Sequence, residues 1–465
     1  MKYIPIQLIV AFVAFLALSN CHAQSLAFEG ALGFGKYTQG GNQGKVLVVS
    51  SLSDNAKSPQ EGTLRWAIAQ DYPRLIVFNV SGVIALEKEL EIKHGNVTIA
   101  GQTSPHGIVI SGASTSVEAN QVIIRHMRFR PGKDSEEGDA VTVRNTTDVI
   151  IDHCSLSWSK DEVGSFYNNQ RFTLQYSILS ESLNNAGHHK GSHGYGGIWG
   201  GSNASFLRNI LANHTSRNPR INGWRLNPPY PQQQEFVDIK NNVIANWQKN
   251  SAYGGENGTA NLVGNIYAPG PATKKLWFFQ LWDDKESLTR LYVAENVMKG
   301  YSDMSEDNSK GIDVKSAKTG SKKEKDVITR SLSTSPFHQN EIDKLGDAQL
   351  TAQQTWTSLI ENQDVGANLT RTGKDLDPVD SRILKQIQSN QYTSKNGIID
   401  SELDVVDWSI YSSYFTANPA PSLTFHEENS ISCLNYSHIS EQKCAKVFYE
   451  GTVRKKHRKR KSATF

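Results

Sequence analysis

Three arginines fall within ten residues at "SRNPRINGWR", where Arg217, Arg220 and Arg225 surround Pro219. Such a group can serve as a strip for a polyanion, as a clamp on a turn through backbone carbonyls, or as the centre of a reaction. Guanidinium forks pair bidentately with carboxylates, so a carboxylate-bearing ligand is the first chemistry to consider. Two acidic clusters lie upstream: "DSEEGDAV", with Glu137 and Asp139, and "SWSKDEVGS", with Asp161 and Glu162. Carboxylates at one edge of successive stacked strands lie about 4.8 Å apart and repel unless a cation sits between them. Oxygen donors without histidine or cysteine partners point to calcium, with magnesium second, and the alternative is that these are solvated loop acids. Between acids and arginines, the glycine-rich "HHKGSHGYGGIWGG" offers His188 and Lys190. A cation flanked by lysine and arginine would receive a polymer bearing carboxylates.

Other chemistries find less support. "GSNAS" lacks the strained elbow that exposes a nucleophilic serine, and the histidines cluster in glycine-rich loops. Asp139 and Asp161 could instead act as the acid and base of a hydrolase.

These residues need elements that bring them to one side. From about residue 95 to 300, short β-branched runs recur, among them "VIIRHMRF", "VIIDHCSLSW", "FTLQYSIL", "SFLRNILAN", "VDIKNNVIAN", "NLVGNIYA" and "LYVAENVM". They have the length and composition of strands. Aligned on a polar pivot they give His126, His153, Tyr176, Asn209, Asn242, Asn265 and Asn296, separated by 23 to 33 residues. A basic coil with loops of variable length is the signature of a solenoid. Asparagine tolerates left-handed backbone, which explains its expected place in the bend between strands. A β-sandwich would show tighter, more regular spacing and hairpin turns. The fold class expected is therefore all-β, a right-handed parallel β-helix. "GTLRWAIAQ" suits an N-terminal capping helix, because a solenoid must close its exposed ends. After about Ser335 the pattern turns helical and polar, as in "DPVDSRILKQIQS", which suggests an extension packed along the outside or over the far end.

The expected organisation is a signal peptide over residues 1–23, a β-helix over 24–335, a C-terminal extension over 336–415 and a tail over 416–465. The apolar run Leu8 to Leu18, with small residues ending at Ala23, reads as a secretory signal, with lipid anchoring at Cys21 as the lesser alternative. The protein is then secreted or periplasmic, Cys433 and Cys444 can close a small loop, and Cys154 is a buried thiol. The formal net charge is +3; no nucleic-acid partner is expected, and no segment after the signal suggests a membrane span. The seven basic residues between Arg454 and Lys461 form a solvated run or an attachment to an acidic polymer.

Beyond these separate signals, the chain resembles the secreted pectate lyases from Leu26 to Tyr414. The resemblance is carried, in order, by "GGNQGKVLVVSSL", "GTLRWAI", "RLIVFNVSGVI", "VTIAGQTSPHGIVISG", "GDAVTV", "VIIDHCSLSWSKDE", "HGYGGIWGG", "SRNPRI", "NNVIANW" and "VGANLTRTGKDLDPVDSRI". It implies calcium-assisted β-elimination of polygalacturonate on a right-handed parallel β-helix. Arg217 would be the base, while Glu137, Asp139 and Asp161 would be calcium ligands. Ser165 stands where better-known members carry a further acid, so Glu162 is the candidate replacement. Asn222 stands where many members carry a second substrate-binding arginine, leaving Arg220 or Arg225 for that role beside Lys190 and His188. A calcium ion and neighbouring cations would disfavour a charged guanidinium, so an alkaline activity optimum is expected. A monomer is expected. The alternatives are a non-catalytic β-helix that binds acidic polysaccharide, or a pectin hydrolase.

Overall fold

The computed structural model describes residues 25–416 apart from residue 285. The signal peptide, Cys21, the Cys433 and Cys444 pair and the basic run lie outside the described residues.

The chain winds as a right-handed parallel β-helix with three strands to a coil. One ten-stranded sheet runs from Lys45–Val49 to Arg290–Ala294, and two nine-stranded sheets run from Gly82–Ala85 to Val297–Met298 and from Leu90–Ile92 to Ile312–Lys315. They are called here the first, second and third sheets, in the order that the chain visits them. Neighbouring strands pair in parallel, as Val149 with Val122 and Phe172 with Val149.

Period-two alternation decides which residues face where. In the first sheet Val122, Ile124, Val149, Ile151, Phe172 and Leu174 point into the coil and join one continuous core. Ile123 and Ile150 point out, against Phe28 and Ala31 of the N-terminal segment. In the second sheet Leu179, Leu211 and Ile244 point in, whereas Ile178, Ile210 and Val243 point out against Leu359, Ile383, Leu384 and Ile387 of the C-terminal extension. Two of the three outer faces are thus covered by the chain's own ends, the first through Ile123 and Ile150 and hydrogen bonds from Phe34 and Gly35 to Ser205 and Thr173, the second through an apolar row. The outer face of the third sheet carries Thr142, Ser165, Ile198, Arg220, Tyr253, Gln280 and Asp313 in one row, polar but for Ile198 and the Tyr253 ring. Among the described residues no apolar cluster covers that row, so this is the face left open.

The expected N-terminal cap is present as a helix at Leu64–Ile68, with the Thr63 side chain accepting from the Trp66 N–H. Its last carbonyls are closed by the buried Arg74, which donates to Ala67 O at 2.9 Å and Ile68 O at 2.7 Å. Helical structure begins earlier than Ser335. Lys322–Ser331 packs Val327 into the core at the far end. The expected helix forms at Pro378–Ser389, where the Asp377 side chain accepts from the Val379 and Asp380 N–H groups and Pro378 stands at the first turn. Asp377 and Asp380 also take Arg128 at 2.5 Å and Arg130 at 2.7 Å, fixing the extension to the second sheet.

The pivot needs one correction. His126, His153 and Tyr176 have φ of 52°, 47° and 48°, and the residues equivalent to them on later coils are Arg208, Asn241, Gly264 and Glu295, also at positive φ. Asn209, Asn242, Asn265 and Asn296 come one residue later and do not take the left-handed conformation expected of them. Their side chains are buried and stack as a ladder: Asn209 Nδ2 donates to Asn242 Oδ1 at 3.0 Å, Asn242 to Asn265 at 2.9 Å, and Asn265 to Asn296 at 3.0 Å. Each Oδ1 also accepts a backbone N–H from the preceding coil, as Asn242 does from Asn209 at 2.8 Å. Asparagine recurs because one amide both donates and accepts along the stack.

Candidate active site

Arg217 lies in the turn that leads from the second sheet into the third, in the left-handed conformation at φ 60°. On the two coils before it, isolated parallel bridges join Glu162 to Tyr195 and Tyr195 to Ser216. This register brings an acid, an aromatic ring and the arginine into one line. Arg217 pairs with the buried Glu162, and its guanidinium lies 4.3 Å from the Tyr195 ring centroid.

Asp139 meets Asp161 and Glu162 from one coil further back. Asp139, Asp161 and Glu162 each present an oxygen within 4.8 Å of the others. Asp139 Oδ1 accepts the Glu162 N–H at 3.0 Å and Oδ2 accepts the Thr142 hydroxyl at 2.8 Å. Burial first, and the Asp161 charge second, push the Asp139 carboxyl up to about 7. Three carboxylates so close repel one another, and their oxygens suit a hard cation.

Glu137 does not join the trio. It is turned toward the glycine-rich loop, where the His189 N–H donates to Oε2 at 2.8 Å and the His189 ring meets Oε1 at 2.5 Å. The His189 N–H holds its carboxyl below the usual carboxylate range. Histidine partners, absent from the acidic clusters as read in sequence, therefore come from this loop as it folds back on the coil edge. His193 Nε2 lies 2.8 Å from Asp161 Oδ1 and stacks on His188 with centroids 3.6 Å apart. The Lys190 N–H donates to His188 Nδ1 at 3.0 Å, so that ring nitrogen is an acceptor. The Nε2 of the same ring lies 3.3 Å from Glu137 Oε1 and 3.8 Å from Asp161 Oδ1. His188 Nε2 is buried and makes no hydrogen bond among the described residues, and it lies within ligand reach of Glu137 and Asp161, whereas the trio is an all-oxygen group. The Lys190 ammonium is exposed and forms no ion pair among the described residues.

Of the remaining arginines, Arg220 sits on the open face, paired to Glu256 at 2.7 Å and 4.9 Å from the Trp282 ring centroid. Arg225 folds back onto Asn222, donating to its carbonyl at 2.8 Å and its side-chain oxygen at 3.0 Å. Burial, and then the Arg220 charge, lower the Arg225 guanidinium from its usual range. Asn222 in this way anchors the Arg225 guanidinium. His193, Tyr195, Tyr253, Glu256 and Trp282 were not singled out from sequence. Only the Gly-Tyr-Gly context of Tyr195 offered a signal, and its alignment with Arg217 depends on coil register.

No protein-family profile matches the chain. A curated relative, "Probable pectate lyase C" of Emericella nidulans, is 31% identical over 402 residues, covering 84% of this chain and 82% of its own. "Probable pectate lyase C" of Aspergillus terreus is 35% identical over 270 residues, 56% of this chain and 58% of its own length. The chain thus spans about three fifths of the first curated relatives it matches. Among solved structures, jun a 1, the major allergen from cedar pollen, superposes with a TM-score of 0.51 at 18% identity, covering 72% of this chain and 92% of that one, a likeness of fold.

Proposed function

Because this chain belongs to the pectate lyase family, we propose that it is a secreted, monomeric lyase that cleaves α-1,4-linked polygalacturonate by β-elimination with Arg217 as the base. The observation that carries this reading is the line of Arg217, Glu162 and the carboxylate trio along the edge of the one open sheet. The signal-like N-terminal run supports export, and no described helix is long and apolar enough to cross a membrane.

In the proposed reaction Arg217 takes the proton from C5 of a galacturonate residue. The electron pair forms the double bond between C4 and C5, and the C4–O bond breaks. The departing oxygen is protonated by water, leaving an unsaturated uronide at the new non-reducing end. Asp139, Asp161 and Glu162 are the residues that would hold calcium, which when bound supplies a Lewis acid for the substrate carboxylate. A guanidine accepts a proton only from its neutral form, which a paired carboxylate disfavours. Release of Glu162 from Arg217 therefore precedes catalysis. Lys190 is free to meet a substrate carboxylate, and Arg225, fixed on Asn222, takes the place of the second substrate arginine. His188, buried between Glu137 and Asp161, lines the substrate side of the acids. Glu137, bound to His189, holds the loop that carries Lys190 rather than the trio.

The test is to incubate the protein with polygalacturonate and follow the ultraviolet absorbance of the unsaturated product. Chelation with EDTA should abolish the signal and added calcium should restore it. New reducing ends without the absorbance, unaffected by EDTA, would identify a hydrolase and overturn the reading.

A further inference from the structure

The edge that carries Arg217 continues past it. The turn before the third sheet recurs on the next coil with Lys249 and on the following one with Lys274 and Lys275, and Lys315 ends the last strand of that sheet. These four lysines line an open cavity of about 360 Å³. Its near wall is Asn250, whose Nδ2 donates to Ser216 Oγ at 3.3 Å and whose carbonyl accepts from Asn218 Nδ2 at 2.9 Å. The cavity thus abuts the residues on either side of Arg217.

Its charge is one-sided. All four lysines are exposed, and none forms an ion pair among the described residues. The one acid in the lining, Asp313, has Oδ2 taken by Gln280 Nε2 at 2.6 Å. Trp277, 8% exposed, also lines the cavity, and its indole N–H is buried without a hydrogen-bond partner. A buried donor left unmade is costly, and like charges gathered at one opening repel. Acceptor oxygens carrying negative charge would relieve both. Successive coils step by about 4.8 Å, comparable to the length of one sugar residue, so a polyuronate lying along the edge could present a carboxylate at each coil.

We propose that this cavity is a second binding site for acidic polysaccharide, engaging uronate carboxylates one to three coils beyond Arg217 and favouring long, unesterified chains. The proposal rests on the pectate reading for the identity of the polymer, while the cavity itself is independent of the chemistry at Arg217.

The experiment measures the affinity of the full chain, carrying Arg217→Ala to prevent turnover, for long polygalacturonate and for trigalacturonate at low and high salt. Adding Lys249→Ala, Lys274→Ala and Lys275→Ala together should weaken long-chain binding about tenfold at low salt, the combined effect of three exposed ion pairs. The advantage of the long chain over the trimer should shrink with it. A control with the exposed Lys57, Lys88 and Lys385 replaced by alanine should bind as the parent does. Equal affinity of both triple variants would overturn the cavity and leave the proposed function standing. Lysine-dependent binding by a chain that yields no unsaturated product when unsubstituted would overturn the proposed function and leave the cavity standing.

Discussion

At the scale of single residues, the ion pair between Arg217 and Glu162 is where two roles meet. Arg217 was legible in sequence because three arginines around a proline are unusual and the family pattern selects one of them. Its partner was legible only as one of several acids, since which carboxylate reaches the guanidinium depends on the offset between two coils. Buried histidines show what such environments do to charge. His214 accepts or shares a proton with Ser182 Oγ at 2.7 Å and lies 3.0 Å from Leu179 O, and burial lowers its ring to about 4. His153 is pulled down by burial, but the Asp152 charge and hydrogen bonds to Asp152 and Asp364 push it up to about 9. The signs differ. His214, depressed in the folded state, contributes stability that is full above its unfolded value and lost as pH falls toward 4. His153, raised, contributes stability that is full below its unfolded value and lost as pH rises toward 9. Replacing His214 by glutamine should therefore cost less at about pH 4.5 than at about pH 7.5, by on the order of 3 kcal/mol in urea unfolding. A gap that is constant with pH would contradict this.

At the scale of elements, alternating β-branched runs and the capping-helix stretch were readable because burial on a pleated strand and end closure leave period-two and amphipathic patterns. The pivot was misplaced by one residue because two positions of each turn are polar, and only one of them takes the left-handed backbone. His126, His153 and Tyr176 hold that position and stack, with centroids 5.0 and 4.8 Å apart, whereas the asparagines lie on the next position and ladder. Sequence spacing does not separate two adjacent polar columns. The ladder makes a direct prediction. Asn242→Ala removes acceptors for the Asn209 N–H and Nδ2 and a donor to Asn265, all buried. It should cost about 3 kcal/mol, with two buried donors left unmade. Thermal unfolding measures it, and a loss under about 0.5 kcal/mol, the scale of an ordinary surface change, would contradict the ladder's role.

At the scale of the molecule, the chain's two ends decide where function can sit. The N-terminal segment covers the outer face of the first sheet, and the extension covers that of the second. The third sheet keeps a polar and aromatic outer face, with the acids, Arg217 and the lysine cavity along its edge. A packed extension was foreseeable from the late helical pattern, but not which sheet it would cover, because that choice depends on outward-facing Ile178, Ile210 and Val243 meeting Ile383 and Leu384 across long separations. The central claim is that this open edge performs a β-elimination with Arg217 as its base. The most direct measurement compares unsatured-uronide formation and polygalacturonate binding by the unsubstituted protein and by Arg217→Ala, with calcium present. The substitution should abolish turnover and leave binding within about threefold, a difference of less than 1 kcal/mol. Turnover that survives the loss of the guanidinium would contradict it.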